Sequence, residues 1–116
     1  MKFTIQGRLP GLNDIVNSSR GNYHKANNQK KQAQREIVLQ LPRCKVTKYP
    51  VEITVTFFEP SNRRDVDNVI AGGCKVICDS LVDKGILIDD SRKYVSQIHS
   101  LVYTDRSNPR IEVIIE

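Results

Sequence analysis

The chain has 116 residues, 39% hydrophobic and 27% charged, with a net charge of +5. That length supports one domain, residues 1–116, with a modest core, and the balance of apolar and charged residues excludes wholesale disorder. No apolar run reaches the roughly 20 residues of a membrane helix, and Met1-Lys2-Phe3-Thr4-Ile5-Gln6 is too polar for a signal peptide, so a cytoplasmic protein is expected.

Phe3-Thr4-Ile5-Gln6-Gly7-Arg8-Leu9 alternates apolar and polar residues and reads as an edge strand, ended by Pro10-Gly11. Residues 11–24 are rich in Asn, Ser and Gly without periodicity. A stretch of that length in a small domain reads as a binding loop, with a plain surface loop as the alternative. Asn13, Asn17, Arg20 and Tyr23 are its candidates for phosphate contact or base stacking. From Lys25 to Leu41 the pattern turns helical: Ala26, Ala33, Ile37 and Leu41 form one stripe, with Val38 beside it. Lys25, Lys30, Lys31 and Arg35 fall mostly off that stripe and give the helix a basic outer face. Pro42 stops it, and Arg43 to Pro50 is a basic connector.

Val51 to Phe58 is the clearest strand, alternating through Val51, Ile53, Val55 and Phe57. Glu59-Pro60-Ser61 breaks it, and Asn62-Arg63-Arg64-Asp65-Val66-Asp67-Asn68 follows at once. Two carboxylates two residues apart leave one face of an extended backbone, roughly 6–7 Å apart at about 3.3 Å rise per residue. A divalent cation fits between such a pair, and Arg63 and Arg64 suit a phosphate. An acidic turn that caps a helix is the plainer reading of the same residues. Beyond it, Ile70, Cys74, Ile77 and Leu81 form a helical stripe that Gly85 can terminate. Gly72-Gly73 conflicts with that helix, since each glycine costs an interior about 1 kcal/mol relative to Ala. Either the helix starts after the pair, or another backbone or DNA approaches there.

Ile86-Leu87-Ile88 is short and apolar, and Asp89-Asp90-Ser91 supplies a second carboxylate pair. Residues 94–103 and Arg110 to Glu116 alternate about the turn Asp105–Pro109 and read as a closing β-hairpin. The expected fold is therefore α+β: a mixed sheet of about four strands with two main helices, in the order β-α-β-α-β-β. Cys44, Cys74 and Cys78 have no metal spacing, and the last two read as core fillers in a reducing compartment. His24 and His99 form no ligand cluster. Charge is unevenly spread. Residues 1–50 hold ten basic and two acidic side chains, and residues 51–116 hold eight and eleven. A basic half beside an acidic half fits a polyanion surface next to a metal site, or solubility charge that happens to cluster.

Carboxylates Asp65, Asp67 and Asp89 or Asp90, without His or Cys ligands, select a hard cation such as Mg²⁺. Lys75 stands one turn before Asp79. It reads either as an ammonium that stabilises phosphate charge or as a surface i,i+4 pair.

Arg64-Asp65-Val66-Asp67-Asn68, then Lys75-Val76-Ile77-Cys78-Asp79-Ser80-Leu81, then Gly85-Ile86-Leu87-Ile88-Asp89-Asp90-Ser91 resembles the RusA family of Holliday junction resolvases, in the family's order. The resemblance implies metal-binding carboxylates at Asp65, Asp67 and Asp90, a functional lysine at Lys75, and DNA contacts from the segment around Asn13. With the basic residues above, the expected DNA-binding set is Asn13, Arg20, Lys30, Lys31, Arg63 and Arg64. It also implies a homodimer that nicks a four-way DNA junction symmetrically with Mg²⁺, with Mn²⁺ as a substitute, and a phage or prophage as one source of such a chain. One departure stands out. Asp67 and Lys75 are eight residues apart, where the best-known form of the family has four, and the difference is about one helical turn. A branched-DNA nuclease of broader taste and a non-catalytic DNA-binding protein are the competing readings.

Overall fold

The computed structural model describes residues 1–9 and 23–116, the side chains of residues 23–27 excepted. Six elements follow in chain order: β1 (Lys2–Gln6), α1 (Tyr23–Gln40), β2 (Val51–Glu59), α2 (Val66–Lys84), β3 (Val95–Thr104) and β4 (Arg110–Ile115). The α+β class, the mixed four-stranded sheet and the element order agree with the sequence reading.

Strand order is β1-β4-β2-β3. β4 runs antiparallel to both β1 and β2, whereas β3 runs parallel to β2. The expected closing hairpin is therefore absent: β3 and β4 lie on opposite sides of β2. Burial explains the arrangement. Ile111, Val113 and Ile115 are all buried, so β4 belongs inside the sheet. Most of β3 is exposed, which suits an outer strand. A parallel β2–β3 pair needs a crossover, and α2 supplies it.

The core lies between one face of the sheet and the two helices. Ile53, Val55 and Phe57 of β2 meet Ile37 and Leu41 near or at the end of α1, and Val76, Ile77 and Leu81 of α2. The α1 stripe holds at Ala33, Ile37 and Leu41; Ala26 lies outside the described side chains. The α2 stripe holds at Ile77 and Leu81, with Cys74 half-buried and Cys78 buried as core fillers.

The glycine pair sits inside α2, which runs unbroken from Val66 to Lys84. A Cβ on Gly73 would come within 2.7 Å of Phe57 Cζ, so this glycine is where the helix comes down on the central strand. α2 ends as its sequence requires. Gly85 is left-handed at φ 84°, its amide donates to Leu81 and Val82 carbonyls, and Lys84 lies in the last turn against the helix dipole.

Candidate active site

The acidic motif occupies the junction between β2 and α2. Asp65 is the residue before the first turn of α2, extended at φ −68° and ψ 150°, and its carboxylate makes no capping hydrogen bond. Asp67 is already inside that first turn, so the two carboxylates do not share one extended backbone as the sequence reading assumed. Asp67 Oδ1 accepts from the Asn68 amide at 2.9 Å. Both aspartates are exposed at the helix N-terminus, where the dipole favours negative charge.

What fixes this junction is a buried ion cluster. Glu59, the last residue of β2, is only 5% exposed. Its Oε1 accepts from Arg8 Nη2 at 2.9 Å and from Arg64 Nη1 at 3.4 Å. Arg64 Nη1 also donates to the Leu9 carbonyl at 2.6 Å. One carboxylate thus ties the chain just after β1 to the residue beside Asp65. A buried carboxylate needs such partners, because an unpaired one costs several kcal/mol on the order of the desolvation penalty. Sequence reasoning missed Arg8 and Glu59. The signal was available: Glu59 continues the i, i+2 series Val51, Ile53, Val55, Phe57, so its side chain points into the protein.

The second half of the site lies further along α2. Lys75 Nζ is 3.0 Å from Asp79 Oδ1 and 3.7 Å from Asp90 Oδ2. The surface pair with Asp79 is present, and the same lysine also reaches Asp90, the aspartate matched by the family order. The Asp79 hydrogen bond and charge, with Asp90 adding to them, raise the Lys75 pKa above the ordinary lysine value. Asp90 is delivered by a well-tethered segment. Ile86 amide donates to Leu81 carbonyl and Val46 amide to Ile86 carbonyl. The Ile88 amide donates to Tyr49 Oη at 3.1 Å, and the Tyr94 and Val95 amides donate to the Ser91 carbonyl. Ile88 itself is exposed, so only Ile86 and Leu87 of that apolar run are buried.

Asp89 and Asp90 differ in role. Asp89 takes a hydrogen bond from Ser91, which holds its carboxyl below the usual carboxylate value, and so it shapes the turn. Asp90 faces Lys75 instead. Nearby, burial pushes the Cys78 thiol up to about 11, and burial likewise raises Cys74, whose Sγ is 3.1 Å from Ser100 Oγ. Burial thus disfavours the thiolate in both.

Eight residues of unbroken helix separate Asp67 from Lys75, about 12 Å of axial rise at 1.5 Å per residue. Asp90 lies outside the helix and meets the tip of the Lys75 side chain. Among the described residues no group of three or more His, Cys, Asp or Glu side chains is placed to hold a metal ion. The donor chemistry of Asp65, Asp67 and Asp90 is that of a hard-cation site, but one chain does not assemble the three into a ligand set.

The expected DNA-contacting residues divide. Asn13 and Arg20 lie outside the described residues. Lys31 and Arg63 are exposed, and Lys30 is half-buried. Arg64 is turned inward to Glu59 and Leu9, its side chain only 19% exposed. His99 is an exposed strand residue near Glu52.

A mixed sheet with helices on one face thus carries aspartates at the start of its crossover helix and after its end. The family model of endodeoxyribonuclease RusA matches residues 15–116, and the chain belongs to that family. It is an enzyme that hydrolyses DNA phosphodiester bonds, and the family's activity is cleavage of Holliday junctions, which are branched DNA. Nucleases of this kind are typically metal-dependent. No curated protein matches the chain. Among the described residues no helix is long and apolar enough to cross a membrane.

Proposed function

We propose that this chain is a Mg²⁺-dependent endonuclease that resolves four-way DNA junctions in recombination and repair, by paired symmetric nicks, acting as a homodimer. Asp65, Asp67, Asp90 and Lys75 carry the reaction. The observation that supports this most is the contact between Lys75 and Asp90, 3.7 Å apart across two separate segments despite the lengthened spacing in α2. Mg²⁺ is the assigned cofactor because carboxylate oxygens without imidazole or thiolate prefer a hard cation.

Lys75 has a definable part. Its carboxylate neighbours, Asp79 first, favour the charged ammonium. It serves as a fixed positive charge, 61% exposed and able to reach a phosphate, where charge grows during hydrolysis. Its two carboxylate neighbours hold the long side chain in place before DNA arrives. A two-fold enzyme on a two-fold junction places two such sites at related phosphodiesters. Lys30, Lys31 and Arg63, with Asn13 and Arg20, supply backbone contacts, while Arg64 acts indirectly by holding the β2–α2 junction.

The test is nicking of a synthetic four-way junction against linear duplex of the same sequence, with Mg²⁺. The junction is expected to be cut and the duplex largely spared. Asp67→Asn is expected to abolish cutting with junction binding retained in a gel shift. Cutting that persists in Asp67→Asn removes Asp67 from the mechanism, and equal cutting of duplex sinks the junction-specific reading.

A further inference from the structure

The two outer strands of the sheet are finished differently. β1 has five residues, and at its end the Gln6 amide donates to Gln40 Oε1 at 2.8 Å while Gln40 Nε2 donates back to the Gln6 carbonyl at 3.4 Å. A side chain of α1 thus occupies the backbone groups there. β3 has ten residues and pairs with β2 on one side only. Among the described residues no strand covers its other edge.

Exposed edges are normally blunted by charge, proline, a bulge or shortness. β3 has a register shift at its start, beside Val51 and Glu52, and then runs regularly from Gln97 to Thr104. Its sequence, VSQIHSLVYT, has no proline and no Lys, Arg, Asp or Glu, in a chain with 31 such charged residues. It also displays large apolar side chains: Ile98 at 45%, Leu101 at 46% and Tyr103 at 53% exposure. Register places them on both faces. Ile98 and Val102 lie beside Ile53 and Phe57 on the helix-bearing face, whereas Leu101 and Tyr103 lie beside Thr56 and Phe58 on the open face. There Tyr103 stacks on Phe58 with ring centroids 5.7 Å apart, and the Arg110 guanidinium covers Phe58 at 3.7 Å.

We propose that β3 is where two copies of this chain join, edge to edge and antiparallel about a two-fold axis normal to the sheet. Two four-stranded sheets then become one continuous sheet. The occupant is a second copy for three reasons. A two-fold axis normal to a sheet sets identical edges antiparallel, the stronger pairing geometry. A Lys, Arg, Asp or Glu near such an axis would meet its own copy, and β3 carries none of these, His99 pairing instead with Glu52 of β2. DNA, the other large partner in view, needs Lys or Arg, which this strand lacks. The proposal rests on the homodimer of the reading above and adds where the copies meet.

Sedimentation of the full chain, without DNA or metal, over a wide concentration range tests it. The expected species has twice the monomer mass of 13.2 kDa. Ile98→Lys with Leu101→Lys puts like charges on both faces of the edge while altering only exposed side chains. This variant is expected to sediment as a folded monomer by far-ultraviolet circular dichroism. Leu39→Lys, at an 83% exposed position on α1, is expected to stay dimeric. Hydrogen exchange supplies the local readout: β3 amides protected in the parent chain and unprotected in the double variant. If the double variant does not fold, Leu101→Lys alone is expected to raise the dimer Kd by about tenfold or more. A parent chain that stays monomeric overturns the proposal together with the homodimer. A dimer that survives the lysines with β3 unprotected overturns the location and leaves the homodimer standing. A dimer lost in the lysine variant supports the location even if junction cutting fails.

Discussion

Gly73→Ala sets two known effects against each other. Alanine favours the interior of a helix over glycine by about 1 kcal/mol, so at an open position the change would stabilise. Here the new methyl would lie 2.7 Å from Phe57 Cζ, against about 3.5–4.0 Å for carbons in good contact. The helix or the ring must move by about 1 Å to restore that separation. Phe57 has nowhere to go: it is 2% exposed and packed into the core on the central strand. Overpacking of this kind costs about 1–3 kcal/mol. Subtracting the helix gain leaves a net loss of about 0–2 kcal/mol, or up to roughly 10 °C in Tm for a domain near this size.

Calorimetry or urea unfolding followed by circular dichroism reads that loss directly. The decisive comparison is a double-mutant cycle with Phe57→Leu, which removes the obstructing ring edge. Each single change is expected to destabilise, and the pair to recover about 1 kcal/mol relative to their sum. Lys75 stands two residues beyond Gly73, so a displaced α2 is also expected to lower cutting by Gly73→Ala more than its loss of stability explains. A Gly73→Ala protein with a higher Tm than the parent would refute the close approach. Gly85→Ala provides the contrast. Nothing lies near its missing Cβ, yet φ is 84°, so destabilisation of about 1 kcal/mol is expected from backbone conformation alone.

Three further outcomes are expected. Glu59→Gln keeps the shape of the buried side chain but removes its charge from Arg8 and Arg64; urea unfolding should show a loss of about 1–2 kcal/mol, the partly exposed arginines limiting it. Junction cutting should fall beyond that loss as Asp65 and Leu9 come untied, and parent-level cutting would refute the tether. Lys75→Met should lower kcat with stability within about 1 kcal/mol of the parent, because its ion pairs are exposed. In the parent, the raised pKa of Lys75 means that its charge persists as pH rises and is lost only above the ordinary lysine value; an alkaline fall in rate that begins lower and vanishes in Lys75→Met would refute this. Asp105 is held below the usual carboxylate value, first by Arg110 and then by Ser107. Its contribution is present above its unfolded pKa and is lost as pH falls through the lower folded value, so Asp105→Asn should flatten the acid limb of the stability profile.

The residues that disclosed the fold are those whose periodicity was also their burial. Val51, Ile53, Val55 and Phe57 alternate and are all buried, so β2 was legible without neighbours. The same alternation misled at the C-terminal end. It identified β3 and β4 as strands, but which strands pair depends on what each must bury. Ile111, Val113 and Ile115 need cover, which the place between β1 and β2 gives them, and β4 reaches it only by passing the end of β2. A short turn such as Asp105–Pro109 serves that path as well as it serves a hairpin. Polarity along β3 is the residue-level trace of the difference. Gln97, His99 and Ser100 suit an edge, not a central strand.

Candidate site residues could be named from the sequence, but their geometry could not. Asp65, Asp67, Lys75 and Asp90 could be named from spacing and family order, and Lys75 does meet Asp90. The distance between the two halves could not be read, because it depends on whether α2 runs through Gly72-Gly73. A glycine pair in sequence is ambiguous between a helix start and a close contact. The Phe57 ring beneath Gly73 resolves it as a contact, and once the helix is continuous its rise sets Lys75 about a dozen ångströms beyond Asp67 along the axis. The feature that looked like a local defect is what keeps α2 continuous between Asp67 and Lys75.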